Sequence, residues 1–436
     1  MAVRKIMVIA GVGLALAING PLKAEDADSL TEVENWEEPF AETEPQVVAD
    51  AACSYCPRAG YQDGFFIKSD DGCYSLKARG LIQFRHVANW RDINIADRAQ
   101  YDPIEAGFQL NRANLFFSGR IGSPNLKYAF TVASNGASDL FMEEAQLSYE
   151  FLNGVVINAG RFRNLAFLRE EATSYAHELT AERSFINEVF TIDYVQGFGV
   201  TRQGDLTRTQ LVVSDGRYSG YFNNDFATNH TDLALSSRLD VKLAGDWDQL
   251  SDFASWACED WGVFLGGAFH WENGEDGDDL AVNNLNNFTS WTLDGSIEGR
   301  GLSLYAAGVG RHWNNPGTAN DNDQLGFLAQ ASYMLVPDKF EPFVRWEYID
   351  LDGVFQDPHG NRHTPVMDSE INIVTIGVNR YFNKHKAKLT VDAMYALDPI
   401  PADGVIAPVG TNTGFLPDVS GNDNQLVFRT QMQLFY

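Results

Sequence analysis

The sequence predicts an all-β protein: a sixteen-stranded antiparallel transmembrane β-barrel with an inward-folded third loop and an acidic N-terminal extension. Two observations support this fold class. From Tyr74 to the C-terminus, successive segments alternate apolar and polar side chains, which is the pattern of tilted barrel strands. Tight turns and long polar connections also alternate between these segments. This order is expected when short turns lie on one rim of a barrel and long loops on the other.

The first 24 residues are predicted to be a secretory signal peptide. Arg4 and Lys5 form a basic start, residues 6–18 form a short apolar core, and Ala24 offers a small residue for cleavage. A membrane anchor is the alternative, but this apolar core is too short to span about 30 Å of hydrocarbon. No later stretch is long and apolar enough for a transmembrane helix. A membrane protein without such helices must be a closed barrel, because only closure pairs every backbone polar group inside lipid.

Residues 25–73 are predicted to form an acidic, cysteine-containing periplasmic extension. The segments 25–28 and 36–39 are acidic, Pro39 and Pro45 interrupt the chain, and there is little periodicity. This composition indicates a flexible segment, with a small docking helix as the alternative. Residues 74–436 then form the barrel domain.

The strand pattern is clear in 231–243. Leu233, Leu235 and Leu239 share one face, whereas Arg238 and Lys242 share the other. The predicted strands are 74–90, 107–120, 125–134, 141–151, 154–163, 193–203, 206–216, 231–243, 261–272, 287–298, 302–313, 324–335, 339–350, 370–382, 386–398 and 424–436. An even number is usual for bacterial single-chain barrels. The one long link in a short-turn position is 244–260.

Charge narrows the function. The formal net charge of −27 excludes a general nucleic-acid binder. Most of the acidic excess lies outside the predicted strands, whose basic and acidic residues are nearly balanced. Charged strand residues should face the lumen, because a lipid-facing Lys or Arg at the bilayer midplane costs roughly 2–4 kcal/mol. The predicted basic residues of the lumen are Lys77, Arg79, Arg85, Arg112, Arg120, Arg238, Lys242 and Arg429.

Four stretches resemble the phosphate-selective porin O and P family. They are LNRANLFFSG (110–119) with LKYAF (126–130), EAQLSY (144–149) with GRF (160–162), ERS (182–184) with GFGV (197–200), and FVRWEY (343–348) with IGVNRYF (376–382) and the terminal strand. In order, they resemble the second hairpin, the strands entering and leaving a constriction loop, and the closing strands of that family. The terminal Phe435-Tyr436 also resembles the aromatic end that the outer-membrane insertion machinery reads, although a buried aromatic strand end is the alternative.

This resemblance implies a homotrimeric outer-membrane porin that passes small hydrophilic solutes and ions, with phosphate or other anions among the candidates. It also implies that the loop 164–192 folds into the lumen as the constriction. The alternative is that the loop merely packs on the wall. The candidate constriction residues are Arg169, Glu170, Glu171, Tyr175, His177, Glu178, Glu182 and Arg183.

The charge of this loop departs from the family pattern. The anion preference of the family depends on Lys and Arg clustered near the constriction. Here carboxylates outnumber the two arginines of the loop, and it contains no Lys. We therefore expect weak selectivity for small solutes, set by pore width and lining charge. A basic ladder on the wall would favour anions, whereas acidic loop mouths would oppose them, though salt screens fields beyond about 8 Å.

The cysteines predict a covalent tie under the barrel. Cys53, Cys56, Cys73 and Cys258 all fall on the side of the short turns, and an exported protein favours disulfides over a zinc site. We expect two disulfides to tie the extension under the barrel, at least one of them reaching Cys258. Three pairings remain open, and a redox-active Cys53–Cys56 pair is a further alternative.

Other functions are less well supported by the sequence. His86, His177, His270 and His312 look isolated, so no enzymatic grouping is evident. A non-conducting structural or adhesin barrel, a barrel protease or lipase, and a soluble carbohydrate-binding β-sandwich remain alternatives. The acidic clusters 275–279 and 320–323 lack the spacing of a calcium loop, so no metal and no cofactor is expected. The expected partners are the lipid bilayer, lipopolysaccharide, solutes and ions.

Overall fold

A computed structural model describes residues 58–92, 102–134, 140–152, 154–217, 219, 231–274, 287–314, 322–351, 370–400, 413–416 and 424–436. The predicted signal peptide and most of the predicted extension, with Cys53 and Cys56, lie outside these residues, as does the cluster 275–279. No described helix is long and apolar enough to cross a bilayer.

The described residues form eighteen strands and three short helices. The strands are β1 Ala59–Tyr61, β2 Phe65–Lys68, β3 Ser75–Arg91, β4 Ile104–Arg120, β5 Leu126–Ser134, β6 Leu140–Glu150, β7 Val155–Arg163, β8 Tyr194–Gln203, β9 Thr207–Ser214, β10 Thr231–Ala244, β11 Gly262–Gly274, β12 Phe288–Gly299, β13 Leu302–Trp313, β14 Asn322–Tyr333, β15 Phe340–Asp350, β16 Glu370–Asn383, β17 Ala387–Ala396 and β18 Gln425–Phe435. The α-helices are α1 Arg169–Ala172 and α2 Phe185–Phe190, and a 3₁₀ helix spans Trp247–Ser251.

Strands β3 to β18 form a closed sixteen-stranded barrel. Each strand pairs antiparallel with its sequence neighbour, and β18 returns to pair with β3, from Gln425↔Arg91 to Phe435↔Leu81. Closure leaves no barrel strand with an unpaired long edge, which is what a sheet inside lipid requires. The predicted barrel and its strand count are therefore confirmed.

Every predicted strand coincides with an observed one within a few residues. The largest difference at a strand start is in β4, which begins at Ile104 because Ile104 pairs with Trp90 of β3. The sequence analysis missed β1 and β2, which lie within the predicted extension. They are too short to show an alternating pattern, and β2 is held by pairing with the start of β3, from Phe65↔Ala78 to Lys68↔Ser75.

The wall has two chemically different faces. In β10, Leu235 and Leu239 are 41% and 47% exposed, whereas the alternating residues Ser236, Arg238 and Asp240 are buried. The same alternation recurs in β9, β12 and β18, with apolar side chains on the exposed face and many polar ones on the buried face. We call the second face the polar face of the wall. Because the period of a strand is two, pairing in this register places all like residues on one side.

The closing seam explains the aromatic C-terminus. Gly80 and Tyr436 exchange backbone hydrogen bonds of 2.7 and 2.9 Å. A Cβ added at Gly80 would lie 2.6 Å from Cζ of the Tyr436 ring. Glycine therefore leaves room for the terminal ring against the first barrel strand.

A hydrophobic core lies on the polar-face side of part of the wall. It joins Phe167, Phe185 and Phe190 of the segment 164–192 to wall residues such as Phe288 and Phe343. Phe415, from the connection between β17 and β18, packs on Phe185 with ring centroids 6.2 Å apart. The connection 164–192 is thus a folded element with its own core rather than an extended loop.

Candidate functional site

The segment 164–192 is bound to the polar face by side chains from separate parts of the wall. Gln83 Nε2 on β3 donates to the Tyr175 carbonyl at 3.1 Å. On the other side of the seam, Lys388 Nζ of β17 donates to the Glu178 carbonyl at 2.6 Å. Further around the ring, Arg311 of β13 donates to the carbonyls of residues 189 and 190. The wall thereby supplies partners for backbone groups that this segment cannot pair within itself.

Glu182 attaches the segment to the wall through charged contacts. Its carboxylate accepts two hydrogen bonds from Arg112, at 2.7 and 2.9 Å, and lies 3.5 Å from Arg85 Nη1. Asn111 Nδ2 donates to the same carboxylate at 3.1 Å. Burial alone would raise the pKa of Glu182, but Arg112 and then Arg85 outweigh it and lower the pKa from 4.5 to about 2. The residue is therefore a buried anion that fixes the segment to β3 and β4.

Tyr175 lies among three guanidinium groups. The Cζ atoms of Arg112, Arg183 and Arg163 lie 3.7, 4.1 and 4.6 Å from the centre of its ring. A cation over an aromatic face is attracted by the ring quadrupole, by about 0.5–2 kcal/mol depending on solvation. Sequence analysis selected Arg112, Tyr175 and Arg183 separately but did not select Arg163, the last residue of β7, because strand alternation places it on the same face as the exposed Ile157.

A second charged cluster surrounds helix α2. Glu170 accepts hydrogen bonds from the backbone and hydroxyl groups of Ser184. Glu347 of β15 accepts from the Phe185 backbone N–H at 2.6 Å. Arg345 lies 3.2 Å from Glu170 and 3.9 Å from Glu178. Burial, followed by repulsion from Glu170, raises the pKa of Glu178 well above 4.5.

The remaining candidates of the segment are also buried and partnered. Glu171 Oε2 accepts from the Ile192 backbone N–H at 3.3 Å, and burial raises its pKa to about 8. Arg183 donates to the Glu171 carbonyl at 3.0 Å. Arg169 donates to the Asp252 carbonyl at 3.1 Å. These contacts give structural reasons for the residues, while their part in solute passage stays a prediction.

The basic residues predicted for the lumen lie on the polar face, and several form ion pairs. Arg238 binds Asp294 with two hydrogen bonds of 2.8 and 2.9 Å and also binds Asp240. Arg429 binds Asp392 in the same manner, at 2.8 and 2.7 Å. Arg79 and Lys242 line the cavity described below. Lys77 of β3 and Arg120 of β4 lie near the short-turn rim, on two strands that pair with each other.

Three of the four histidines that looked isolated, His177, His270 and His312, have close partners, which corrects the sequence analysis. His270 lies between Ser236 Oγ, at 2.8 Å, and Glu272 Oε2, at 3.2 Å. His177 stacks on His385 with centroids 4.6 Å apart, and His312 pairs with Asp323. Glu272 lies two residues from His270 on β11 and is visible in the sequence. Ser236, His385 and Asp323 come from a neighbouring strand or a distant turn, so spacing along the chain does not reveal them. Burial lowers the pKa of His177 to about 3.

Ser236, His270 and Glu272 are the residue types of a hydrolase triad, but their setting opposes catalysis. All three are buried, with His270 fully inaccessible. Asn164 Nδ2 donates to Ser236 Oγ at 2.7 Å, and Glu272 also accepts from Thr231 and the Arg217 backbone N–H. A nucleophile must reach its substrate. This row therefore acts as a satisfied polar network.

A cavity of about 680 Å³ lies between the segment 164–192 and strands β3 to β10. Arg79, Glu144, Arg163, Tyr175 and Lys242 are among its lining residues. It reaches the β7 and β8 ends of the short-turn rim, since residues 154 and 203–205 also line it. Its walls carry both signs of charge together with aromatic rings.

The cysteine prediction is not tested by the described residues. Cys73 is partly buried and Cys258 is exposed, and the two form no disulfide with each other. Their expected partners, Cys53 and Cys56, lie outside the described residues. Within the described ranges, no group of His, Cys, Asp and Glu is arranged to hold a metal ion.

Comparison with solved structures supports the barrel fold. The anion-selective porin from Comamonas acidovorans superimposes with a TM-score of 0.55 at 12% identity, covering 83% of this chain and 100% of that one. Outer-membrane expressed OmpT of Vibrio cholerae gives 0.51 at 12% identity, covering 85% and 100%. The in-vitro folded, trimer form of that protein gives 0.50 at 11% identity, covering 83% and 99%. At such identities the likeness concerns the fold.

The sequence matches no protein-family model and no curated protein. The fold and the site geometry therefore carry the functional argument.

Proposed function

We propose that this chain is an outer-membrane porin through which small hydrophilic solutes and ions diffuse passively. The observation that supports this function is the closed wall with two different faces. Exposed leucines such as Leu235 and Leu239 lie on one face, and buried charged residues such as Arg238 and Asp240 lie on the other. In water, so extensive an exposed apolar surface would promote association. In a bilayer the same apolar surface contacts the lipid hydrocarbon, and the enclosed polar face can line an aqueous path.

The segment 164–192 acts in this proposal as the constriction. Its attachments at Glu182, Tyr175 and Glu178 hold it against strands on both sides of the seam. Such a segment narrows the lumen and sets the charge that a solute meets, which is how porins discriminate.

The channel should be weakly ion-selective. Two of the predicted basic residues of the lumen, Arg238 and Arg429, face carboxylates at hydrogen-bond distance. Arg85 and Arg112 share Glu182. Ion pairs present little net charge to a passing ion, so neither a strong anion preference nor a strong cation preference follows from these residues. Phosphate specificity and membership of the phosphate-selective porin O and P family remain finer proposals, based on the sequence resemblance.

Location and assembly complete the proposal. Residues 1–24 would direct export as a cleaved signal, and residues 25–73 would lie in the periplasm beneath the 74–436 barrel. A homotrimer in contact with lipid and lipopolysaccharide is consistent with the trimer form of the Vibrio cholerae structure. No cofactor is needed for passive diffusion.

Planar bilayers and liposomes test the channel directly. Purified protein should give stepwise conductance, and liposomes that contain it should swell in small sugars but not in sugars of increasing size. Under a potassium chloride gradient, the reversal potential should lie close to zero. A reversal potential near the Nernst value of either ion would refute weak selectivity.

Stable insertion without conductance or swelling would favour the alternative of a structural or adhesin barrel. Release of product from ester or peptide substrates, lost in Ser236→Ala, would instead favour a barrel enzyme built on the buried row of Ser236, His270 and Glu272.

A further inference from the structure

The connection between β10 and β11, which we call the rim segment (residues 245–261), is longer than its strands require. Ala244 of β10 already pairs with Val263 of β11. Two residues suffice to close a hairpin in such a register. The other connections at this rim are tight, as at Gly154, Arg300 and Lys384, which all have positive φ angles. The extra residues must therefore be explained by what they contact.

The rim segment contacts four other turns of the same rim. Trp247 Nε1 donates to the carbonyl of Gly204, between β8 and β9, at 2.9 Å. Ser255 Oγ accepts from the backbone N–H of Gly301, between β12 and β13, at 3.2 Å. The remaining contacts are those of Ala257 with Asp338, between β14 and β15, and of Asp252 with His385, between β16 and β17. The segment thus extends across the rim from β8 to β17.

The rim segment also meets the constriction segment 164–192 inside the wall. Arg169 donates to the Asp252 carbonyl at 3.1 Å, and its guanidinium lies 5.1 Å from the Phe253 ring centre. His177 Nδ1 lies 3.3 Å from the Ser251 carbonyl oxygen. Phe253 is 1% exposed and packs on Tyr305 of β13, with centroids 4.9 Å apart. Two segments that enter from opposite rims therefore join in one core.

The two halves of the barrel differ as a result. On the polar face of β12 to β18, aromatic and aliphatic side chains belong to the shared core. On the polar face of β3 to β9, the cavity of about 680 Å³ reaches the rim. Ser303 of β13 is 4% exposed, whereas Ser118 of β4, also near a tight turn of this rim, lines the cavity.

We propose that the rim segment closes the half of the barrel next to β12–β17 at the short-turn rim and confines solute passage to the cavity beside β3–β9. Resting on the proposed porin function, this inference adds the location of the path and assigns Trp247, Asp252, Phe253 and Ser255 as positioning residues. The occupants of the path are the small hydrophilic solutes and ions of the proposed function.

Matched cysteine variants test the location of the path. Ser118→Cys and Ser303→Cys are each treated in planar bilayers with a small cationic methanethiosulfonate, with the unsubstituted protein treated in parallel to account for its own four cysteines. We expect modification of Ser118→Cys to reduce conductance at least about tenfold faster than modification of Ser303→Cys, because reaction follows access to solvent. Equal rates and equal block at both sites would overturn the inference.

A shortened connection tests the rim segment itself. Residues 246–260 are replaced by Asn-Gly in the Ser303→Cys background, and retention of the barrel is checked by heat-modifiable migration in gels. We expect larger single-channel conductance and rapid modification of the cysteine at 303. A folded variant with unchanged conductance and unreactive cysteine would overturn the inference. If the shortened variant does not fold, the comparison of Ser118→Cys with Ser303→Cys decides whether the path is one-sided.

The outcomes separate the inference from the proposed function. If the unsubstituted protein shows no conductance, the porin function fails. If it conducts, but Ser303→Cys is blocked as fast as Ser118→Cys, only the one-sided path fails.

Discussion

Replacing Glu182 with Gln should release the constriction segment from the wall. Glu182 is 2% exposed. Its carboxylate binds two arginines, Arg112 at 2.7 and 2.9 Å and Arg85 at 3.5 Å. Removing one partner of a buried ion pair costs about 3–5 kcal/mol because the other charges stay buried. The amide keeps the shape and one acceptor, so we take the lower value of about 3 kcal/mol. This corresponds to a roughly hundredfold larger open population of the segment.

Trypsin cleavage after Arg183 measures this opening. Arg183 is 3% exposed, and trypsin is too large to enter the lumen, so it can cut there only after the segment leaves the wall and moves out of the barrel. When opening is fast relative to cleavage, the rate follows the open population. We therefore expect cleavage of Glu182→Gln at this site to be roughly a hundredfold faster than cleavage of the unsubstituted protein. The fragments can be identified by mass spectrometry.

Glu150→Gln is the matched control. Glu150 also forms an ion pair, with Lys127 at 2.9 Å, but its side chain is 39% exposed. The Lys127 side chain is only 6% exposed, but solvent screens the pair at the carboxylate, so its loss should cost about 0–1 kcal/mol. This variant should therefore change cleavage less than about tenfold. If both variants are cut at the same rate as the unsubstituted protein, Glu182 is not the anchor that its geometry indicates.

Three further predictions follow from individual residues. The pKa of Glu182 is lowered to about 2, so its contribution to segment attachment is complete above pH 4.5 and is lost as the pH falls towards 2; cleavage by an acid protease should accelerate over this range in the unsubstituted protein and less in Glu182→Gln. Leu293→Arg, at the middle of the exposed face of β12, should lower the free energy of unfolding by roughly 2–4 kcal/mol, as measured by urea titration of vesicle-folded protein. Leu335→Arg, just beyond β14, should lower it by about 0–1 kcal/mol, and equal costs would contradict the lipid-facing assignment. Non-reducing peptide mapping should find Cys258 joined to a cysteine of the extension, and four free thiols would exclude that tie.

Strand alternation predicted nearly all of the barrel. In β10 and β18 the apolar and polar faces separate with a period of two, and this local property is retained when the sheet closes. The tight turns were equally readable, because Gly122 and Gly154 adopt the positive φ angles that short turns demand. The placement of charged residues on the polar face followed from the same alternation, as for Arg238 and Arg429.

The partners of those charges could not be predicted from spacing. Glu182 meets Arg85 and Arg112 only because the constriction segment crosses to β3 and β4, far away along the chain. His270 appeared isolated until β10 placed Ser236 beside it. An ion pair between distant residues has no signature in one sequence, since many pairings are compatible with the same pattern of charge.

The sequence alone determined the number, direction and two-faced character of the strands, because backbone pairing and burial on a sheet depend on local periodicity. Only the tertiary structure decided which half of the enclosed space is filled. The contacts of Arg169 with Asp252 and Phe253 join segments from opposite rims, and their meeting depends on barrel diameter and loop packing. These are properties of the closed assembly, to which every strand contributes and which no single segment encodes.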